Sequence, residues 1–194
     1  MNFPDSPACR AALEVATAFH TPSLLNHSVR AYLWAEWYAA EHGIGYDAEL
    51  LFVSAMLHDI GLAQAFDNHE LTFEEAGANV AWVFGAGAGW PVERRVRAGE
   101  VIIRHMWDKV DVAEDPESFL LELSTAMDIS GRQTDELPGP LRARVLAAYP
   151  RFDLATEFAG CFAAQAERKP DSLAAVFVRG GLAGKLARNP LEQG

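Results

Sequence analysis

The pair His58-Asp59 is the part of the sequence with the most evident chemistry. It follows residues 50–57, which are apolar at nearly every position, and precedes Gly61, so we expect it at the C-terminal end of a buried helix. A carboxylate there faces the negative end of the helix macrodipole, and burying an ionised Asp without a partner costs free energy. Because residues 54–62 contain no Lys or Arg, the positive partner of Asp59 must be a distant basic side chain or a metal ion.

Two more residues have the chemistry of metal ligands. Asp128 follows an apolar segment and stands three positions before Gly131, so it too is expected near a helix C-terminus. His27 lies at the start of a predicted helix that is rich in Trp and Tyr. Together with His58 and Asp59 they would supply two imidazoles and two carboxylates from three separate helices. This mixed nitrogen and oxygen set suits zinc or iron, with manganese as an alternative.

Each of these residues also has a simpler interpretation. His58 can be a helix-capping or core histidine, and His27 can be an exposed residue of a first helical turn. Asp128 can be a helix-end carboxylate that is bonded to Arg132. The metal hypothesis therefore depends on the joint occurrence of the four residues on helical segments.

The composition favours one globular domain and disfavours several classes of partner. The chain has 194 residues, of which 50% are hydrophobic, and a formal net charge of −11. Such a surface repels phosphate backbones and anionic lipid, so we expect no nucleic-acid and no membrane partner. No apolar run approaches the about 20 residues that cross a bilayer. Residues 1–20 include prolines and acids that interrupt a signal-peptide core, and two cysteines are too few for a disulfide framework, which together predict a cytoplasmic protein.

Helical periodicity prevails along the chain, and we therefore predict an all-α fold. The Gly-rich residues 85–89 are expected to be a flexible link, because they lack the Lys-Ser/Thr of a phosphate-binding loop. We expect a single domain over residues 1–194, with a core of about 21–135 and a C-terminal helical extension of about 139–188. The predicted helices open near Pro22 and reach about 42, then cover about 48–58, 73–84, 91–107, 116–130, 139–148 and 154–169.

The order His27, His58-Asp59, Asp128 resembles the signature of the HD-domain superfamily of helical metalloenzymes. Within that superfamily the chain is most similar to the cyanamide hydratase-type HD proteins. The resemblance spans about residues 21–188, and the stretches that carry it are 21–30, 49–62, 73–78, 101–105, 169–172 and 177–179.

The resemblance implies a five-helix core with flanking helices and one divalent metal, zinc first, held by the four residues of the signature. It also implies that His105 points to the metal-bound water or the substrate, and that Arg30 holds Asp59 or a substrate atom. Glu74 and His69 would lie in the loop and helix that close such pockets. The alternatives are a buried, hydrogen-bonded His105, a surface Arg30 and a Glu74 that only favours the first turn of its helix.

The activity implied is hydration or hydrolysis of a small molecule, in which a metal-bound hydroxide adds to a nitrile-like carbon, as in the conversion of cyanamide to urea. Nucleotide phosphohydrolysis is one alternative, and Arg30, Arg104 and Lys109 would then have to hold phosphate. A di-iron oxygenase is another, with His69 and His105 as extra ligands. A third is a non-catalytic helical binding module. The apolar C-terminal helices can pack within the chain or against a second copy, so a homo-oligomer also stays open.

Overall fold

Ten α-helices and two short 3₁₀ turns make up the protein in the computed structural model, which describes residues 3–193. No strand occurs among these residues, and the all-α prediction is confirmed. Residues 1, 2 and 194, the ends of the predicted single domain, lie outside the described residues. The helices are α1 (Pro7–Phe19), α2 (Pro22–His42), α3 (Ala48–Leu57), α4 (Phe73–Gly87), α5 (Val92–Arg104), α6 (Pro116–Ser130), α7 (Gly139–Ala148), α8 (Leu154–Arg168), α9 (Leu173–Arg179) and α10 (Leu182–Ala187).

Local capping interactions set the boundaries of the helices that carry the candidate site residues. Thr21 and Asp47 accept hydrogen bonds from first-turn backbone N–H groups and so start α2 and α3. Gly43 and Gly131 end α2 and α6 with φ of 66° and 76°, a left-handed conformation that favours glycine. These starts and stops agree with the sequence signals, because caps depend on neighbouring residues alone.

The flexible link predicted over residues 85–89 is wrong, because α4 continues to Gly87. Gly85 is buried inside the helix, and a Cβ there would come within 3.1 Å of the Trp90 ring and 3.0 Å of the Arg95 side chain. The glycine therefore permits close packing between the end of α4 and the start of α5. The predicted helix to about Trp107 also ends earlier, at Arg104, with His105 as its cap.

Helix α1 was not predicted. Its buried face consists of small residues at helical spacing, Ala8, Cys9, Ala12 and Ala16, which pack in the main core next to α3. Small side chains give a weak periodic signal, but they allow two helices to approach closely.

Helix α3 is the centre of the bundle, as its apolar sequence indicates. All residues from Leu50 to Leu57 are buried, and the helix contacts α1, α2, α4, α5 and α6. The charged Glu49 lies in the first turn, at the opposite end from His58, so the C-terminal end of α3 can carry functional groups deep into the protein.

The last three helices cover one end of this bundle. Leu154, Phe158 and Phe162 of α8 pack with Leu182 of α10 in a second apolar cluster, which also includes Phe73 of α4. Full burial of such a side chain contributes roughly 1.5–3 kcal/mol to the free energy of unfolding.

The division of a single domain into a core and a C-terminal extension stays a prediction. No helix among residues 3–193 has the length and apolar character of a membrane span.

Candidate metal centre

Two helices and one sharp turn bring His27, His58 and Asp59 together. His27 lies in the second turn of α2, His58 caps the C-terminus of α3, and Asp59 begins the 3₁₀ turn Ile60–Leu62. A Cβ on Gly61 would collide with the backbone carbonyl of the first residue of α4. The glycine after the His-Asp pair therefore lets α4 pack directly against the turn.

The candidate ligand atoms of these three residues are spaced as in a tetrahedral site. His58 Nε2 lies 3.2 Å from His27 Nε2 and 3.2 Å from Asp59 Oδ2. His27 Nε2 lies 3.5 Å from the same Asp59 oxygen. A tetrahedral ion with bonds of about 2.0–2.1 Å needs ligand separations of about 3.3–3.4 Å. The group could thus hold one divalent metal ion.

Hydrogen bonds orient both imidazoles so that Nε2 is the free nitrogen. His58 Nδ1 donates to the Ala55 carbonyl oxygen at 2.8 Å, and His27 Nδ1 donates to Asp128 Oδ2 at 2.8 Å. Neither carboxylate oxygen of Asp59 has a hydrogen-bond partner within the described part of the chain. The two Nε2 atoms and the Asp59 carboxylate are therefore acceptors that face one another in a buried space. A bound cation would satisfy all of them.

The pKa shifts in this group follow from burial and from the charge of Asp59. Burial opposes protonation of His58, but the adjacent carboxylate outweighs it and raises the pKa of that imidazole. Burial lowers the pKa of His27 below its ordinary value. Burial also opposes ionisation of Asp59, yet His58 beside it keeps the pKa of the carboxyl well below its usual range. Metal binding needs neutral imidazoles and an ionised carboxylate, so a metal ion would compete with protons for these three side chains.

Asp128 lies behind His27, outside the group of converging ligand atoms. Arg30 binds its carboxylate at two points, from Nε to Oδ1 and from Nη2 to Oδ2, each at 2.8 Å. Trp34 donates to Oδ1 at 3.0 Å, and Arg151 Nη1 lies 3.3 Å from Oδ2. These cations keep the pKa of Asp128 far below its ordinary value in spite of burial. In this structure Asp128 orients His27, and its role as a direct fourth ligand stays a prediction.

Four expectations for Arg30, His27 and Arg132 are wrong. Arg30 is fully buried and holds Asp128, so it is neither a surface residue nor the partner of Asp59. His27 is fully buried, not exposed in a first turn. Arg132 pairs with Glu122 at 2.6 Å and not with Asp128.

His105 lies next to the metal group, whereas Glu74 and His69 are not among the residues that line the cavity. His105 lies against His58 with ring centroids 4.9 Å apart, and its Nδ1 donates to the Ile102 carbonyl oxygen. Glu74 is buried in the first turn of α4, where burial raises its pKa, but it is not part of the cavity wall at the metal group. His69 is exposed in the preceding loop. A catalytic role of Glu74 stays a prediction.

Sequence reasoning missed the residues that hold Asp128 from the C-terminal third of the chain. Arg151 Nη1 and Asn189 Nδ2 both donate to the Asp128 backbone carbonyl oxygen, at 2.8 and 2.7 Å. Both residues are buried, but neither belongs to a motif with a recognisable spacing. In the sequence both residues look like ordinary polar surface residues, so nothing distinguished them as partners of Asp128.

A cavity of about 260 Å³ opens onto the metal group. The wall has a polar part and an apolar part. The polar part consists of the three histidines, Asp59, Asp108, Glu122, Thr125, Ser130, Arg132 and Lys185. The apolar and aromatic wall residues include Met106, Ile129, Phe158, Phe162, Phe177 and Leu182.

The comparison with protein families agrees with this geometry. Residues 24–105 match the model of the HD domain, and the match includes His27, His58, Asp59 and His105. It supports the assignment of this part of the chain to the HD-domain superfamily, whose members bind divalent metals. No curated protein matches the chain. The match ends before α6 and α8–α10, which complete the site.

Proposed function

We propose that the protein is a metal-dependent hydrolase or hydratase of a small molecule. The observation that carries the proposal is the buried convergence of His27, His58 and Asp59 with tetrahedral spacing and no internal donor. Two imidazoles and a carboxylate at this spacing suit zinc best, with iron and manganese as alternatives. A divalent metal bound there supplies an acidic water, whose pKa falls to about 7 in favourable zinc sites.

The side chains around the metal group have separate tasks in such a reaction. Asp128 fixes the orientation of His27, and the Ala55 carbonyl fixes His58. Burial lowers the pKa of His105 to about 3, so its ring is neutral at rest. Because His105 Nδ1 is committed to a carbonyl oxygen, Nε2 is the atom that can accept a proton from water and return it to a developing nitrogen anion of the substrate.

The charges around the cavity favour an uncharged substrate over a nucleotide. Arg30 is committed to Asp128 and Arg104 to Asp115, and neither contributes to the cavity wall. Lys109 is likewise outside the wall. Of the two basic residues in the wall, Arg132 is paired with Glu122, and Lys185 alone has no ion pair within residues 3–193. A single lysine is a weak clamp for a phosphate group.

We therefore propose a nitrile-like reactive group, with the hydration of cyanamide to urea as the first reaction to test. The purified protein would be stripped with a chelator and reloaded with one equivalent of Zn²⁺, Fe²⁺ or Mn²⁺. Urea release from cyanamide and phosphate release from nucleoside monophosphates would then be measured on the same samples. Urea release that depends on the metal supports the proposal.

Two other outcomes would contradict it. Robust phosphate release without urea formation would favour the phosphohydrolase alternative. Two irons per chain in the protein as purified, before it is stripped, would favour a di-iron enzyme, although the exposure of His69 leaves that alternative without one of its expected ligands.

A further inference from the structure

One side of the cavity is built by helices that lie outside the HD match. Phe158 and Phe162 come from α8, Phe177 from α9 and Leu182 from α10. We call these four residues the apolar wall. The Phe158 and Phe162 rings stack with centroids 4.4 Å apart, and the Phe177 ring lies 6.4 Å from that of Phe162. The three phenylalanine rings of the wall thus form one aromatic surface.

The apolar wall is held in a defined position relative to the metal group. The Phe158 ring lies edge-on to the His27 ring, with centroids 5.9 Å apart. The Phe162 and Phe73 rings pack with centroids 5.3 Å apart, and the Phe73 and His105 ring centroids are 5.9 Å apart. A substrate whose reactive group reaches the metal group can therefore place its remainder against these rings.

The size of the cavity indicates how large that remainder is. Its volume is about 260 Å³, whereas a water molecule takes about 30 Å³ of liquid and an apolar cavity of about 150 Å³ accommodates benzene. A molecule as small as cyanamide would leave most of the space to water in contact with aromatic surface. A ring-sized substituent would displace that water and bury its own apolar area.

We infer that the apolar wall determines specificity and that the substrate carries an aromatic or branched aliphatic substituent on its reactive group. The chemistry of the reacting group in this inference rests on the proposed function, whereas the substituent is argued from α8–α10. Substituted nitriles and cyanamides, such as aryl derivatives, form the substrate class that fits both parts of the site.

Two metal-chelating probes that differ only in their substituent test the inference. Acetohydroxamate and benzohydroxamate would be titrated into the Co²⁺-loaded protein, and their Kd values read from the visible absorption of the metal. Benzohydroxamate is expected to bind about tenfold or more tightly, because its ring buries additional apolar area. Equal Kd values in a protein that binds Co²⁺ would overturn the inference and leave the metal centre in place.

A substitution in the apolar wall provides the second arm. Phe177 is only half-buried, so Phe177→Ala should fold, lose most of the preference for benzohydroxamate and bind acetohydroxamate as before. The neighbouring exposed residue Val176 lies outside the cavity wall, and Val176→Ala is the matched control that should keep the preference. An unchanged preference in Phe177→Ala would contradict the role of the wall.

The experiment distinguishes a failure of the proposed function from a failure of the inference about the apolar wall. Absence of Co²⁺ binding would contradict the metal centre itself. Saturation-transfer NMR with benzonitrile on the metal-free protein would then decide the role of the wall, since a signal that disappears in Phe177→Ala supports it and an absent signal overturns it.

Discussion

His27 Nδ1 lies 2.8 Å from Asp128 Oδ2, and this hydrogen bond turns the other ring nitrogen of His27 toward His58 and Asp59. The Asp128 carboxylate is itself held by Arg30 at two points. A carboxylate behind a ligating histidine fixes the tautomer of the ring and raises its basicity. Asp128 would therefore contribute to metal binding through His27.

Asp128→Asn tests this positioning role. Removal of the charge leaves Arg30 and Arg151 without their buried counter-ion, so the free energy of unfolding should fall by about 3–5 kcal/mol. Metal affinity should fall about 10–100-fold, the typical effect of losing such a partner. Denaturant unfolding and chelator competition measure the two quantities.

The exposed Asp153 at the start of α8 offers a matched control. Asp153→Asn should change stability by less than about 0.5 kcal/mol. If Asp128→Asn instead abolishes metal binding as completely as a change at Asp59, then Asp128 is a direct ligand, as the family resemblance implies.

His58→Ala and Asp59→Ala should each reduce the metal content to background. Each change removes one of the three converging ligand atoms, and the two that remain cannot complete the site. Elemental analysis by mass spectrometry gives the metal content, and far-UV circular dichroism shows whether the helices persist. His69→Ala, an exposed histidine, should keep the full metal complement. A full complement in Asp59→Ala would contradict the assignment.

His105→Gln should lower kcat of the metal-loaded protein about 10²–10⁴-fold, the usual contribution of general acid-base catalysis. Metal content should stay unchanged, because His105 is outside the group of converging ligand atoms. The urea assay and elemental analysis on one preparation separate the two effects. A loss of metal in this variant would instead place His105 among the ligands.

Glu74→Gln provides the comparison for His105, since Glu74 is also buried but does not contribute to the cavity wall. A comparable loss of kcat would support the catalytic role implied by the resemblance. An unchanged kcat would show that Glu74 serves only the first turn of α4.

His20 makes the metal-free protein sensitive to acid. Burial lowers the pKa of His20 to about 4, so the unfolded chain binds a proton at a higher pH than the folded protein does. The contribution of neutral His20 to the free energy of unfolding is therefore fully present above the pKa of about 6.5 that histidine has in the unfolded chain. It is lost as the pH falls toward 4, and the loss is about 2 kcal/mol at about pH 5.

His20→Gln removes this titration while it keeps a donor for the Met56 carbonyl oxygen, which His20 Nε2 contacts at 3.2 Å. Urea unfolding of the chelated protein at neutral and acidic pH measures the change. The variant should lose less stability on acidification than the unmodified protein, and His42→Gln at a half-exposed position should behave like the unmodified protein. An equal loss in His20→Gln would show that another group dominates.

Much of the helical framework follows from local signals. Asp47, Gly43 and Gly131 mark helix boundaries because caps and left-handed stops depend on residues a few positions away. The burial of α3 follows in the same way from its uniform apolarity. The helical residues Gly85–Gly87 and the helix α1 were missed because their packing depends on neighbours that local sequence does not reveal.

The sequence by itself determined that His27 would lie on a helix, that His58 and Asp59 would lie at the C-terminal end of a buried helix, and that Asp59 would need a positive partner. Residue type and helix position suffice for these conclusions, because burial and the helix dipole act locally. Only the tertiary structure decided that Arg30 pairs with Asp128, that Arg151 and Asn189 hold its backbone, and that α8–α10 enclose the cavity. These contacts join residues far apart in the chain, and the choice among many compatible charged and apolar partners is made by packing of the whole bundle.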